Sequence, residues 1–242
     1  MSLNGIDISS NNNYLDLNRY TGQVVINKLT GGCSYVWKNN RINDCLKKGL
    51  LVGAYHFANE NGVITSANSQ ARFFYNHWKK YKNVLPILDY ETPINGRYLT
   101  QHDMNKVDNF MLEFYRLSGV PPLLYASKSF ILATKIPKFT KEHCMLWFAQ
   151  YGTMEPTGWQ QFPWTDKHQL DMNILGQQYT SNGHVQGITG GVDLSLFYIS
   201  HDNWLKSCRP SNGNVQGITG GVDLSLFYIS HDNWLKSCRP SK

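Results

Sequence analysis

The sequence predicts a single closed α/β barrel related to the eight-stranded (β/α)8 type. Three observations carry this. Eight short apolar runs recur along the chain, helical patterns fill the gaps between the early ones, and 242 residues suit one barrel of this kind. The candidate strands are 3–8, 23–28, 50–57, 84–90, 122–126, 144–150, 174–180 and 191–197. Several are rich in Val, Ile, Leu and Tyr, as parallel strands buried on both faces tend to be. Between them, 38–48 reads as a helix stopped by Gly49, and 66–80 as a helix with Ser66 or Ser69 as N-cap. The segment 100–117 places Val107, Phe110, Met111, Phe114 and Leu117 at helical spacing and ends near Gly119 and Pro121. The later strands have little helix between them. A doubly wound open sheet is the alternative, but no glycine-rich phosphate turn supports it.

Composition narrows the class. Apolar residues make up 41% and charged residues 17%, which excludes a disordered tail and a coiled coil. No apolar run is long enough to span a bilayer. Aromatics reach 13%, with 7 Trp and 14 Tyr; such side chains suit a groove that stacks sugars or bases, and equally an ordinary core. The formal charge of +6 favours an anionic partner such as cell wall or nucleic acid. The start, Met1-Ser2-Leu3-Asn4-Gly5, lacks the charged and apolar regions of a signal peptide. The expectation is synthesis in the cytoplasm, with another agent needed to release the protein if it acts outside. Cys33, Cys45, Cys144, Cys208 and Cys238 are widely spaced, and no CxxC, HExxH or P-loop is present. They read as free, mostly buried thiols, without zinc, haem or nucleotide.

The end of the chain holds a tandem duplication. Residues 181–210 recur at 211–240 with one change, His184 becoming Asn214. Two copies do not make a solenoid. The expected division is a barrel over 1–210 and a peripheral extension over 211–242.

In barrels of this kind chemistry sits at the C-terminal ends of the strands. Asp7 ends the first candidate strand, Asp89 and Glu91 end the fourth, and Asp193 lies on the last. Asp89 and Glu91 are two residues apart, so on a strand they leave the same face with Cα atoms roughly 6.5–7 Å apart. Two such carboxyls resist joint ionisation: one keeps its proton while the other stays charged. Glycoside hydrolysis needs that division between an acid and an anion. A polar strand end facing water is the structural alternative. The first and last strands of a closed barrel are neighbours, so Asp7 and Asp193 are expected beside the pair. Four acids would also suit a divalent cation, which keeps a metal-dependent hydrolase as the second enzyme reading.

Aromatic residues fall at the same strand ends: Tyr55, Tyr125, Trp147 and Tyr151. Each is a sugar-stacking candidate or a piece of barrel packing. His56 follows Tyr55, points the other way and reads as structural. Lys28 ends the second strand and either pairs with the acids or is solvated.

Six segments, in this order, resemble glycoside hydrolase family 25, the Chalaropsis-type lysozymes that include many phage endolysins. They are Gly5-Ile6-Asp7-Ile8-Ser9, Gly53-Ala54-Tyr55-His56-Phe57, Pro86-Ile87-Leu88-Asp89-Tyr90-Glu91, Leu146-Trp147-Phe148-Ala149-Gln150-Tyr151, Gln178-Tyr179-Thr180-Ser181 and Gly191-Val192-Asp193-Leu194. The resemblance covers about residues 3–205. It implies a TIM-like (β/α)5(β)3 barrel and N-acetylmuramidase activity on the β-1,4 bond from N-acetylmuramic acid to N-acetylglucosamine, with no cofactor and no metal. Glu91 resembles the proton donor. Asp89 resembles its partner, which orients the substrate N-acetyl group or acts as nucleophile, and Asp7 and Asp193 resemble two further active-site acids. Tyr55, Tyr125, Trp147, Tyr151, Tyr179 and Lys28 are the expected substrate contacts. Two departures stand out: Asn11-Asn12-Asn13 replaces the more usual Gln-Gly, and Gln177 stands where a Trp is common.

The implied partner is the glycan strand of peptidoglycan, not nucleic acid or membrane. The implied role is an endolysin, made without a signal peptide and acting on the wall after release. A monomer is expected, with a strand-exchanged dimer through the repeat as the alternative. The rival from another class is a non-catalytic wall-binding barrel.

Overall fold

Eight strands close into a barrel in the computed structural model, which describes residues 2–12, 14–60, 65–91, 98–152, 155–163 and 170–210. The order is β1 (Leu3–Ile8), β2 (Val24–Gly31), β3 (Tyr35–Val36), α1 (Ile42–Lys47), β4 (Leu51–Phe57), α2 (Ala67–Trp78) and β5 (Val84–Asp89). It continues through α3 (Gln101–Ser118), β6 (Leu123–Ser127), α4 (Lys128–Ala133), α5 (Lys138–His143), β7 (Met145–Ala149), β8 (Asn173–Gly183), β9 (Val192–Phe197) and α6 (His201–Ser207). Parallel pairings run from β1 through β2, β4, β5, β6 and β7 to β8. β9 then fits antiparallel between β8 and β1 and shuts the ring. β3 is a two-residue strand folded back on the end of β2, beyond the stretch that β1 covers.

The helix signals act where the sequence places them. The Ser66 hydroxyl accepts from the Ser69 N–H at the start of α2. Thr100 and Asp103 form a reciprocal capping box on α3, and Gly119 ends that helix at φ 71°. The helix expected over 38–48 narrows to Ile42–Lys47, because the Trp37 N–H bonds to Leu29 C=O and the Asn40 amide to Trp37 C=O, holding that turn outside the helix. The short helices α4, α5 and α6 have no counterpart in the sequence reading. At six or seven residues they show less than two turns of periodicity.

Alternation on the strands builds two apolar layers. Val24, Ile26, Leu51, Leu85, Ile87, Leu123 and Leu175 fill the lumen. Val25, Val52, Ala54, Leu88 and Leu124 face outward against Phe74, Phe110 and Phe114 of α2 and α3. Phe197 packs inside against α6, its ring 5.3 Å from that of the fully buried Trp204. The same ring lies over two glycines. A Cβ added to Gly5 would sit 2.7 Å from Phe197, and one added to Gly176 would sit 2.6 Å from it. β9 therefore closes against β1 and β8 at positions where a side chain would collide.

His56 takes its expected outward place. Its Nδ1 lies 2.9 Å from Thr30 Oγ1 and its Nε2 3.1 Å from Gln70 Oε1. The Gln70 amide nitrogen donates to Asn59 and to Thr65 C=O, so Gln70 Oε1 is an acceptor and the His56 proton sits on Nε2. Burial pushes the imidazole down to about 4, so it is neutral.

Cys33, Cys45, Cys144 and Cys208 are free thiols, the last three buried. Among the described residues no helix is long and apolar enough to cross a membrane. The end of β8, β9 and α6 all fall within the first copy of the duplication. Residues 211–242, with Asn214, Asp223 and Cys238, lie outside the described residues, as does Asn13.

Candidate active site

The register of the barrel brings the four acids to one mouth. Asp7 and Asp193 are paired positions on β1 and β9. Asp89 pairs with Phe57 on one side and Tyr125 on the other, and Tyr125 pairs with Trp147. The fourth inner strand stops at Asp89, one residue short of the sequence expectation, so Glu91 lies past the strand end at the exposed rim. The alternation nevertheless persists one step. The Tyr90 N–H bonds to Tyr125 C=O, and the Tyr90 hydroxyl turns outward to Asp103. Asp89 and Glu91 are thereby left on the lumen side.

The carboxyls form one electrostatic cluster. Burial lifts Asp7 well above the usual carboxylate range, helped by Asp193 and Glu91 and opposed by a hydrogen bond from Gln178. Burial likewise lifts Asp89, with Glu91 and Asp7 adding and Lys28 opposing. Asp193 is pushed up to about 6 by burial and Glu91. Glu91 is raised by desolvation, while the Tyr125 hydroxyl and Lys28 pull it back. The Glu91 charge in turn raises Asp89, Asp193 and Asp7, whereas Asp89 is not among the causes that raise Glu91. The protons of such a cluster belong to the group as a whole. Asp89 Oδ1 is buried with no hydrogen-bond partner among the described residues.

Gln178 on β8, which the sequence reading left without a role, joins this cluster from the far wall. Its amide nitrogen donates to Asp7 Oδ2 at 2.9 Å. Its Oε1 accepts from the Tyr125 hydroxyl at 2.7 Å and the Tyr151 hydroxyl at 2.6 Å. Simple alternation from the lumen-facing Leu175 would have turned Gln178 outward; the register shift between β7 and β8 at Leu175 brings it inside, and nothing in the local sequence marks that shift.

The expected substrate contacts divide. Tyr151 is 40% exposed at the rim and within reach of a ligand. Tyr55 and Tyr125 are buried in the lumen just below the acids. Trp147 is enclosed further down, its ring 4.4 Å from Tyr125 and its indole N–H on Ser195 Oγ at 3.0 Å, so it is packing beneath the site and not an open platform. Tyr179 faces away from the lumen. Its hydroxyl accepts from the Gln160 N–H and donates to Gly158 C=O, pinning the 155–163 loop, so it does not line the groove. Lys28 is neither solvated nor paired to the acids. It forms an ion pair with Glu60 at 2.7 Å and lies over the Tyr35 and Phe57 rings at 4.8 and 4.7 Å. Gln177 also faces outward, its amide on Gln150 C=O, so no stacking platform belongs at that position.

Among the described residues no group of three or more His, Cys, Asp or Glu side chains is arranged to hold a metal ion. A shallow open pocket of about 590 Å³ lies elsewhere, between residues 14–18 and α1, and contains none of the four acids.

A closed barrel with four mutually coupled carboxyls at the C-terminal mouth of its parallel strands defines a hydrolase-type site on an α/β barrel. The family model described as glycosyl hydrolases family 25 matches residues 6–188, and the chain belongs to that family. It is similar to the autolytic lysozyme of Clostridium acetobutylicum, 25% identical over 203 residues, covering 81% of this chain and 56% of that protein. It is also similar to the lysozyme of Streptococcus phage Cp-9, 28% identical over 191 residues, covering 73% of this chain and 50% of the relative. The chain thus spans about half the length of these relatives. Its fold matches the crystal structure of the bacterial lysozyme from Streptomyces coelicolor with a TM-score of 0.67 at 20% identity, covering 85% of this chain and 96% of that one.

Proposed function

We propose that this glycoside hydrolase is a lysozyme that cleaves the β-1,4 bond from N-acetylmuramic acid to N-acetylglucosamine in peptidoglycan. The observation that carries the reading is the pairing of a rim carboxyl, Glu91, with an enclosed carboxyl, Asp89, whose Oδ1 has no hydrogen-bond partner among the described residues. Glu91 reaches solvent and therefore an incoming glycosidic oxygen. Its raised pKa keeps a proton available for the leaving group. Asp89 Oδ1 is left to the sugar, either accepting the N–H of the 2-acetamido group or attacking the anomeric carbon. Asp7 and Asp193 add negative potential around the oxocarbenium-like transition state. Proton sharing across the cluster lets four acids coexist in a small volume without four full charges.

The net charge of +6 suits approach to an anionic wall. The cellular role that fits is an endolysin released onto the wall, working as a monomer. The test is reducing-end analysis of purified peptidoglycan after digestion. New N-acetylmuramic acid reducing ends from the native protein, lost in Glu91→Gln by roughly 10²–10⁴-fold with the fold intact, support the reading. N-acetylglucosamine ends, or freed stem peptides alone, overturn it.

A further inference from the structure

The amide of Gln178 occupies an unusual position: one oxygen serves two phenols while one nitrogen serves a buried acid. We infer that Gln178 is a positioning residue, clamped by the Tyr125 and Tyr151 hydroxyls so that its N–H points at Asp7 and holds that carboxylate in its place among the acids.

The orientation follows from donor counting. A phenol near neutral pH has one proton to give, and the pKa values of both tyrosines are raised, so both remain protonated. Both hydroxyls donate to the amide oxygen, at 2.7 and 2.6 Å. The nitrogen then has to face Asp7, 2.9 Å away, and Asp7 Oδ2 has to accept. Any proton that Asp7 carries therefore sits on its other oxygen.

Tyr125 and Tyr151 hold the amide oxygen from two sides, so the donor to Asp7 stays in place when either phenol alone is disturbed. No group is oxidised or reduced, and no proton is transferred along these bonds.

The role rests on the lysozyme reading for its use in turnover, but its geometry can be tested without turnover. Asp7 faces Asp193 on β9, with Asp89 at the end of β5 and Glu91 just past it. The phenols of Tyr20, Tyr55, Tyr125 and Tyr151 also feel its charge. All of these stay in place in Gln178→Met, which keeps length and volume but removes both polar ends. A donor to a carboxylate favours its charged form, so losing it should raise the Asp7 titration. Carbon-detected NMR titration of the Asp7 carboxyl should read a midpoint at higher pH in Gln178→Met than in the native protein. In wall digestion the acid limb should move the same way, and kcat should fall roughly 10- to 100-fold with KM little changed, as expected when a hydrogen bond to a charged group is lost. Tyr151→Phe, a rim substitution, should give a smaller shift in the same direction and decides the matter if Gln178→Met does not fold. An unmoved Asp7 titration overturns the inference, as does lost activity with an unchanged pH profile. If the native protein releases no muramic acid ends, the lysozyme reading fails by itself, and the Asp7 titration still judges Gln178.

Discussion

Asp7 and Asp193 stand directly opposite one another across the antiparallel pairing of β1 and β9. The closing strand of the barrel therefore delivers the last acid of the site, and that strand comes from the first copy of the duplicated segment. The second copy repeats the β9 and α6 sequences without the β8 start at 173–180 that precedes them. Bringing Asp223 into the same slot would need a connection of about 40 residues, well beyond the usual length in a compact domain. Asp193→Asn should cripple clearing of a wall suspension, whereas Asp223→Asn and deletion of 211–242 should be nearly silent. The reverse pattern in turbidity assays would show that the second copy fills the site.

Removing a charge from the mouth should stabilise the fold. The Asp193 carboxyl is raised to about 6, so the folded state disfavours its ionised form. For an acid with a raised folded pKa the penalty is full above that value and vanishes below its unfolded pKa, near 4. Asp193→Asn should therefore raise Tm at pH 7, by the equivalent of about 1–2 kcal/mol allowing for the solvent that reaches the rim. The gain should shrink to nothing by about pH 3.5. Calorimetry at the two pH values checks it, and an equal gain at both would remove the electrostatic cause.

The alkaline limb of activity should report the shared protons of Asp89 and Glu91. Each carboxyl is lifted by burial, and the Glu91 charge is the next cause acting on Asp89. Asp89→Asn removes one member of the pair and should move the alkaline limb of the residual activity to lower pH. A limb that stays put would mean that the two groups titrate independently.

His56 should make the fold acid-sensitive. Its folded pKa is about 4 against about 6.5 unfolded, so the unfolded chain binds the extra proton between those values. The stability held in the neutral ring is complete above pH 6.5 and is lost as pH falls towards 4, by up to about 3 kcal/mol. The raised carboxyls act in the opposite sense over part of this range, so the readout is a difference. Denaturant unfolding should show a steeper loss from pH 6.5 to 4 in the native protein than in His56→Gln. Parallel curves would rule the mechanism out.

The strands were legible because each is a dense apolar run, and eight candidate runs became the eight barrel strands. β1 coincides residue for residue with its candidate, 3–8. The acids were legible because strand ends are where lumen positions meet solvent. What stayed hidden depends on pairing across the ring. Lys28 finds Glu60 on a loop after β4, and Gln178 finds Asp7 across 171 residues of sequence. Tyr179 was misread because a motif names neighbours without saying which of them faces in. On β8 the inward member is Gln178. Trp147 was placed correctly on its strand, but depth along the lumen, which decides whether a ring stacks a sugar or supports one from below, follows from barrel stagger and not from local sequence.

The antiparallel β9 has a consequence for the order in which the molecule comes into being. Its partners lie at opposite ends of the barrel sequence, β1 beginning at Leu3 and β8 at Asn173, and β9 itself begins only at Val192. A ribosome must therefore deliver nearly the whole domain before the ring can shut. Until then β1 and β8 present two bare edges, and Asp7 and Gln178, the two ends of one hydrogen bond, have nothing holding them in register. The four acids are brought together by the same late event that completes the core.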